Sequence, residues 1–202
     1  MKIKFLFLFL VLISFELLNA QIKPEFGLKF GVNLADMRTD ENTLSPRSTF
    51  HFGFEAEQQL SSKWSLQTEL LYSRQGNVRR GRTEEGVKFD NILALDYLNI
   101  PIFANYYLKD GLYISSGMQL GFLLRAQLQE TVGTDSNQQN VNDNYKNTDV
   151  GMIFGAGYKT DWGFNVGLRY NWGFTNVLKE PLAYTLVERN SVLQLYMSYR
   201  IK

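Results

Sequence analysis

The feature that most constrains this chain is a strict two-residue alternation of apolar and polar side chains, renewed along almost its whole length. Residues 26–35 set Phe26, Leu28, Phe30, Val32 and Leu34 on one parity and Gly27, Lys29, Gly31 and Asn33 on the other. A period of two belongs to a strand with one greasy and one polar face. The pattern returns at 50–60, where Phe50, Phe52, Phe54 and Ala56 oppose His51, Gly53, Glu55 and Glu57, and again at 64–74, 94–107, 112–128, 148–160, 163–175 and 191–201. That makes eight predicted strands, each of about the 9–11 residues or more that a tilted strand needs to cross a bilayer.

The connections carry a second regularity. Ser61-Ser62-Lys63, Lys109-Asp110-Gly111 and Asp161-Trp162 read as tight turns, while 36–48, 76–92, 129–147 and 176–190 read as long polar links. Short and long alternate, as in an up-and-down barrel with short periplasmic turns and longer extracellular loops. The Asn-, Gln- and Asp-rich stretch from Asp135 to Asn147 reads as a mobile loop.

The start of the chain fits this location. Lys2 and Lys4 precede an apolar run from Phe5 to Phe15, and Leu18-Asn19-Ala20 offers a cut before Gln21. This is the layout of a secretory signal peptide, with an apolar run too short for a spanning helix. The expected division is a cleavable signal at 1–20 and one barrel domain at 21–202. Loss of Lys2, Lys4 and Glu16 takes the formal charge from +1 to neutral, so no nucleic acid or other polyanion is expected as partner. The chain has no cysteine, which removes disulfides and thiolate metal sites.

Alternation alone does not say which face is enclosed, because a soluble lipocalin-like barrel turns its apolar face inward. The export signal, the loop asymmetry and the strand lengths point to lipid outside. A sheet in hydrocarbon must close on itself, since lipid satisfies no backbone group. The expected fold is therefore all-β: an eight-stranded antiparallel up-and-down transmembrane β-barrel. Its interior would hold a charge network of Lys29, Glu55, Glu57, Glu69, Arg125, Asp149, Lys159, Arg169 and Arg200, with both signs present for pairing. Pro101, inside a predicted strand, is expected to mark a bulge.

The segment Asp96-Tyr97-Leu98-Asn99-Ile100-Pro101-Ile102 resembles a recurring Tyr-Leu-x-Ile-Pro-Leu stretch. That stretch belongs to the small outer-membrane β-barrel family of Bacteroidota, which includes PorT-like proteins. The first strand and Ala20-Gln21 are similar to the family's opening strand and cleavage site. The resemblance covers most of the mature chain and implies an eight-stranded barrel in the outer membrane. The PorT branch is linked to type IX secretion, a link that does not transfer on this motif. Barrels of this kind usually end on an aromatic residue, whereas this chain ends Tyr199-Arg200-Ile201-Lys202.

Signals for chemistry are sparse. His51 is the only histidine, with Ser48 and Glu55 near it in sequence, and one residue does not specify a triad. No cofactor or metal motif is present. Arg79-Arg80-Gly81-Arg82 is a basic cluster in a predicted loop with Glu84 and Glu85 beside it; it reads first as a solvated loop and second as a contact for lipopolysaccharide phosphates. The expectation is a non-enzymatic outer-membrane barrel that touches membrane lipid and lipopolysaccharide and presents loops to envelope or secretion-system proteins. A narrow transport or ligand-binding barrel is the alternative, followed by a lipid-modifying enzyme centred on His51.

Overall fold

The computed structural model describes residues 24–39, 44–179 and 187–201. The expected signal peptide and its cut at Ala20–Gln21 lie outside the described residues. Among the described residues nine strands form one antiparallel sheet: β1 (Glu25–Arg38), β2 (Leu44–Gln59), β3 (Trp64–Arg82), β4 (Lys88–Lys109), β5 (Leu112–Val132), β6 (Asp135–Asn140), β7 (Thr148–Lys159), β8 (Phe164–Gly173) and β9 (Arg189–Ile201). Eight of them close a ring in the order β1-β2-β3-β4-β5-β7-β8-β9, with β9 back on β1 and β6 hanging from the edge of β5.

The faces are inverted relative to a soluble protein. Phe30, Phe54 and Leu195 are 56 %, 63 % and 52 % exposed, while Lys29, Glu69 and Arg169 are 2 %, 3 % and 1 % exposed. No described helix is long and apolar enough to cross a membrane; the exposed apolar face belongs to the strands. Aromatic side chains gather where the wall meets its periplasmic edge, with Trp64 against Tyr106 at 4.8 Å and Trp162 stacked on Phe164 at 5.3 Å. The periplasmic turns are as short as expected. At Asp110-Gly111 both residues have positive φ (47° and 83°), the conformation a two-residue hairpin needs and one that Gly adopts freely.

The outer side differs from the sequence reading. The link expected at 76–92 is mostly strand: β3 and β4 pair continuously from Gly76–Ala94 to Arg82–Lys88, leaving only 83–87 as a turn. The supposed mobile loop contains β6, paired with β5 from Gln127–Asn140 to Val132–Asp135. Asn77, Val78 and Leu93 are buried, but from Arg79 to Lys88 and along β6 the residues are mostly exposed, so no apolar alternation marks the strands and backbone pairing alone defines them.

Pro101 also departs from expectation. Pairing between β3 and β4 lapses opposite Ile100 and Pro101, yet the register is the same on either side, Thr68–Ile102 and Leu71–Asn99. The proline omits a ladder bond without inserting a residue. The Thr68 hydroxyl donates to the Pro101 carbonyl at 3.2 Å and helps close the gap. The irregularity lies five residues earlier, where Asp96 pairs with Arg125 but Tyr97 pairs with Leu123, so Leu124 is bulged.

Candidate functional site

Three layers fill the barrel. At mid-height Lys29 from β1, Glu55 from β2, Glu69 from β3 and Arg169 from β8 meet. Arg169 Nη1 donates to Glu69 Oε2 at 2.9 Å, Lys29 Nζ lies 3.1 Å from Glu55 Oε2, and Lys29 also pairs with Glu69. Two cations face two carboxylates, so the layer is neutral. Neutral side chains use the remaining valences: Gln67 donates to Glu55 (3.1 Å) and Glu69 (3.0 Å), Ser198 to Glu55 (2.7 Å), and Arg169 Nε to Gln194 (3.0 Å). The Arg169 guanidinium also sits between the Phe103 and Tyr196 rings, 5.5 Å from each. The strands bring these groups together because inward positions of paired strands face one another, as Gly27–Glu55 and Glu55–Glu69 do in the ladders.

The periplasmic mouth carries a second neutral layer. Glu57 accepts from Lys159 and Ser65, and from the Tyr107 hydroxyl at 2.6 Å. Glu25 pairs with Arg200, and with Lys159 at 3.4 Å. Asn105 ties the two layers, donating to Glu57 (3.3 Å) and Gln67 (2.9 Å).

The outer third carries an apolar cluster, with Gln75, Asn77 and Asn190 buried beside it. Met37, Leu93, Leu95, Tyr97 and Ala126 project inward from the walls, and Tyr145, Val177 and Leu178 fold in from the loops above them. A Tyr145–Leu178 bridge and the Lys146 amide bond to the Val177 carbonyl (2.7 Å) hold this plug. Burial, with the Glu188 carboxylate nearby, raises the Tyr145 phenol above its usual range. Apolar side chains gain by leaving water, which draws the loop residues Tyr145, Val177 and Leu178 onto the inward apolar positions of the wall.

Of the residues expected inside, Lys29, Glu55, Glu57, Glu69 and Arg169 are buried there, and Lys159 and Arg200 close the periplasmic rim. Asp149 is buried apart from them, bonded by Asn190 Nδ2 at 2.8 Å. Arg125 is a correction. It is exposed on the outer wall, because the bulge at Leu124 shifts the register by one and turns Arg125 to the opposite face. The sequence reading missed the neutral partners Gln67, Gln194, Asn105 and Ser198. Their inward parity was visible, but amides and hydroxyls carry no charge to single them out.

His51 is buried, and its Nδ1 lies 2.7 Å from Asn33 Oδ1. Ser48 stands on the exposed parity opposite Leu34, and Glu55 is engaged by Lys29, so Ser48, His51 and Glu55 do not assemble. Among the described residues, no three His, Asp or Glu side chains converge to hold a metal ion.

The model of the outer membrane protein β-barrel domain family matches residues 19–179. This chain belongs to that family. The outer membrane β-barrel domain described here also resembles known barrel structures. Neisserial surface protein A aligns with TM-score 0.52 at 10 % identity, covering 87 % of this chain and 97 % of its own. Ail, the attachment invasion locus protein of Yersinia pestis, aligns with TM-score 0.45 at 12 % identity, covering 89 % and 99 %. No curated protein sequence matches the chain. The family and the ring of eight strands place this barrel in the outer membrane.

Proposed function

We propose that this chain is a non-enzymatic outer-membrane barrel whose closed body holds a sheet clear of the bilayer for contact with other envelope or extracellular molecules. The observation that carries this reading is the extension of β3, β4 and β5 past the level of Arg74, joined by β6 into four paired strands. From Arg74 to Arg82 the extension rises about 20 Å, at ~3.3 Å per residue and a tilt of ~40°. Its β6 edge, Asp135 to Asn140, is exposed throughout and pairs only with β5 among the described strands. Unpaired strand edges are ready templates for a partner's strand. The Asp96–Ile102 stretch supports a place among the Bacteroidota barrels.

The test is site-specific photo-crosslinking in living cells. A crosslinker at Gln138 is expected to capture a discrete protein or glycan adduct, and one at lipid-facing Phe30 is not. Capture of nothing at Gln138 would remove the interaction role. The apolar plug and the Glu57–Lys159 layer close both ends, which supports a body that does not conduct. In planar bilayers no steady current is expected, and a persistent open channel would favour the transport reading instead.

A further inference from the structure

Arginines stand on the outer wall where lipid should be. Arg74 has the same parity as Trp64, Leu66, Leu70 and Tyr72, and Asp96 has the parity of Leu98 and Ile100. The two are directly opposed on β3 and β4, and Asp96 is directly opposed to Arg125 on β5. Arg74 grips Asp96 bidentately at 2.7 and 3.1 Å. Arg47, at the β2 irregularity between Pro46 and His51, donates to the Leu93 carbonyl at 3.2 Å, and its charged neighbours are Arg74 and Asp96. Arg74 thus occupies the Asp96 carboxylate, with Arg125 opposed to it across the ladder and Arg47, which pairs with Ala35 on β1, reaching over to the Leu93 carbonyl nearby. Among the described residues no carboxylate lies within ion-pair distance of Arg47 or Arg125.

The height of this row is informative. Trp64 and Tyr106 are opposed at the periplasmic girdle, and Arg74 and Asp96 are opposed ten residues further along the same two strands. Ten residues at ~3.3 Å and ~40° tilt rise about 25 Å, the height of the apolar band of such barrels. Below the row, the outward positions of the described spanning stretches carry no charge. Immediately beneath it Phe50, Phe52 and Tyr72 form one aromatic patch, with ring centres 5.4–6.2 Å apart. Surplus guanidinium donors therefore meet the bilayer at headgroup depth, with rings below them at acyl-chain depth. Arg79, Arg80 and Arg82 lie beyond this level on the projecting sheet, where Arg80 faces Asp90 at 3.5 Å and Arg82 bonds the Gly86 carbonyl.

We infer that Arg47, Arg74 and Arg125 form a wall site for the phosphate of a glycolipid in the outer leaflet. Guanidinium groups bind phosphate oxygens through paired, charge-assisted hydrogen bonds. Asp96 holds Arg74 in place and leaves Arg47 and Arg125 for the ligand.

The test is native mass spectrometry of the detergent-solubilised protein titrated with bisphosphorylated lipid A. One bound equivalent is expected. Arg47→Gln with Arg125→Gln should weaken binding roughly tenfold or more, the loss of two charge-assisted contacts. Arg79→Gln with Arg80→Gln should leave it unchanged. Dephosphorylated lipid A should bind no better than phosphatidylcholine, and millimolar inorganic phosphate should not displace the lipid. Equal affinity of wild type and the Arg47/Arg125 variant would overturn the site, as would equal binding of the dephosphorylated lipid. Displacement by inorganic phosphate would overturn its assignment to a lipid. Heat-modifiable gel migration checks folding. Arg125→Gln alone, at an exposed residue bonded to Gln127, gives a second variant expected to weaken binding about threefold.

Discussion

Glu69→Gln is expected to lower the unfolding free energy by about 3–5 kcal/mol, the range for removing one member of a buried ion network. Glu69 is the common partner of Lys29 and Arg169, both almost wholly enclosed. The amide keeps the shape but leaves the layer with one cation more than its carboxylates, in a place water reaches poorly. Adding Lys29→Met should recover part of the loss, because it restores the balance between Arg169 and Glu55. By contrast Arg200→Gln, at the partly exposed rim beside Glu25, should cost at most about 1 kcal/mol. Urea unfolding in phospholipid vesicles, followed by gel mobility, measures all three. A Glu69→Gln barrel within about 1 kcal/mol of wild type would mean that the interior is wet enough to screen the charges.

The second large effect belongs to the opposite face. Phe30 lies midway between Phe26 and Leu34 on the outward parity of β1, and Phe30→Arg should cost about 2–4 kcal/mol. The same change at Phe26, beside the periplasmic edge, should cost about 0–1 kcal/mol. The gradient with depth distinguishes lipid from a protein partner or water on this wall. If both variants were equally stable, and the mature chain stayed monodisperse without detergent, the wall would not face hydrocarbon.

The spanning part of the fold was legible because its environment imposes a rule on alternate residues. Phe26 to Ala35 can be sorted by eye, since hydrocarbon selects one parity and a crowded polar interior selects the other. The rule ends where the bilayer ends. Arg79 to Arg82 and Asp135 to Asn140 pair as strands with water on both sides, so nothing in their side chains announces it. Arg125 was misplaced for a related reason: parity counting assumes an unbroken ladder, and one extra residue at Leu124 inverts everything after it. Arg74 and Asp96 were the opposite case. Their greasy parity was plain in the sequence, and a charge there should have been read as marking the edge of the membrane. The plug could not be read at all, because Val177 and Leu178 reach Leu93 and Met37 only through the closed ring.

The ring is sealed by pairing Phe26 with Ile201 and Arg38 with Arg189, so the first strand finds its final neighbour only when the last one arrives. Every shorter product of the ribosome has a raw edge at each end, and a joint spanning nearly the whole chain is slow to find. Until that joint forms, the chain carries two open edges with no neighbour to pair them. Losing even its final dozen residues would remove the strand that closes the ring and leave an open ribbon rather than a smaller barrel.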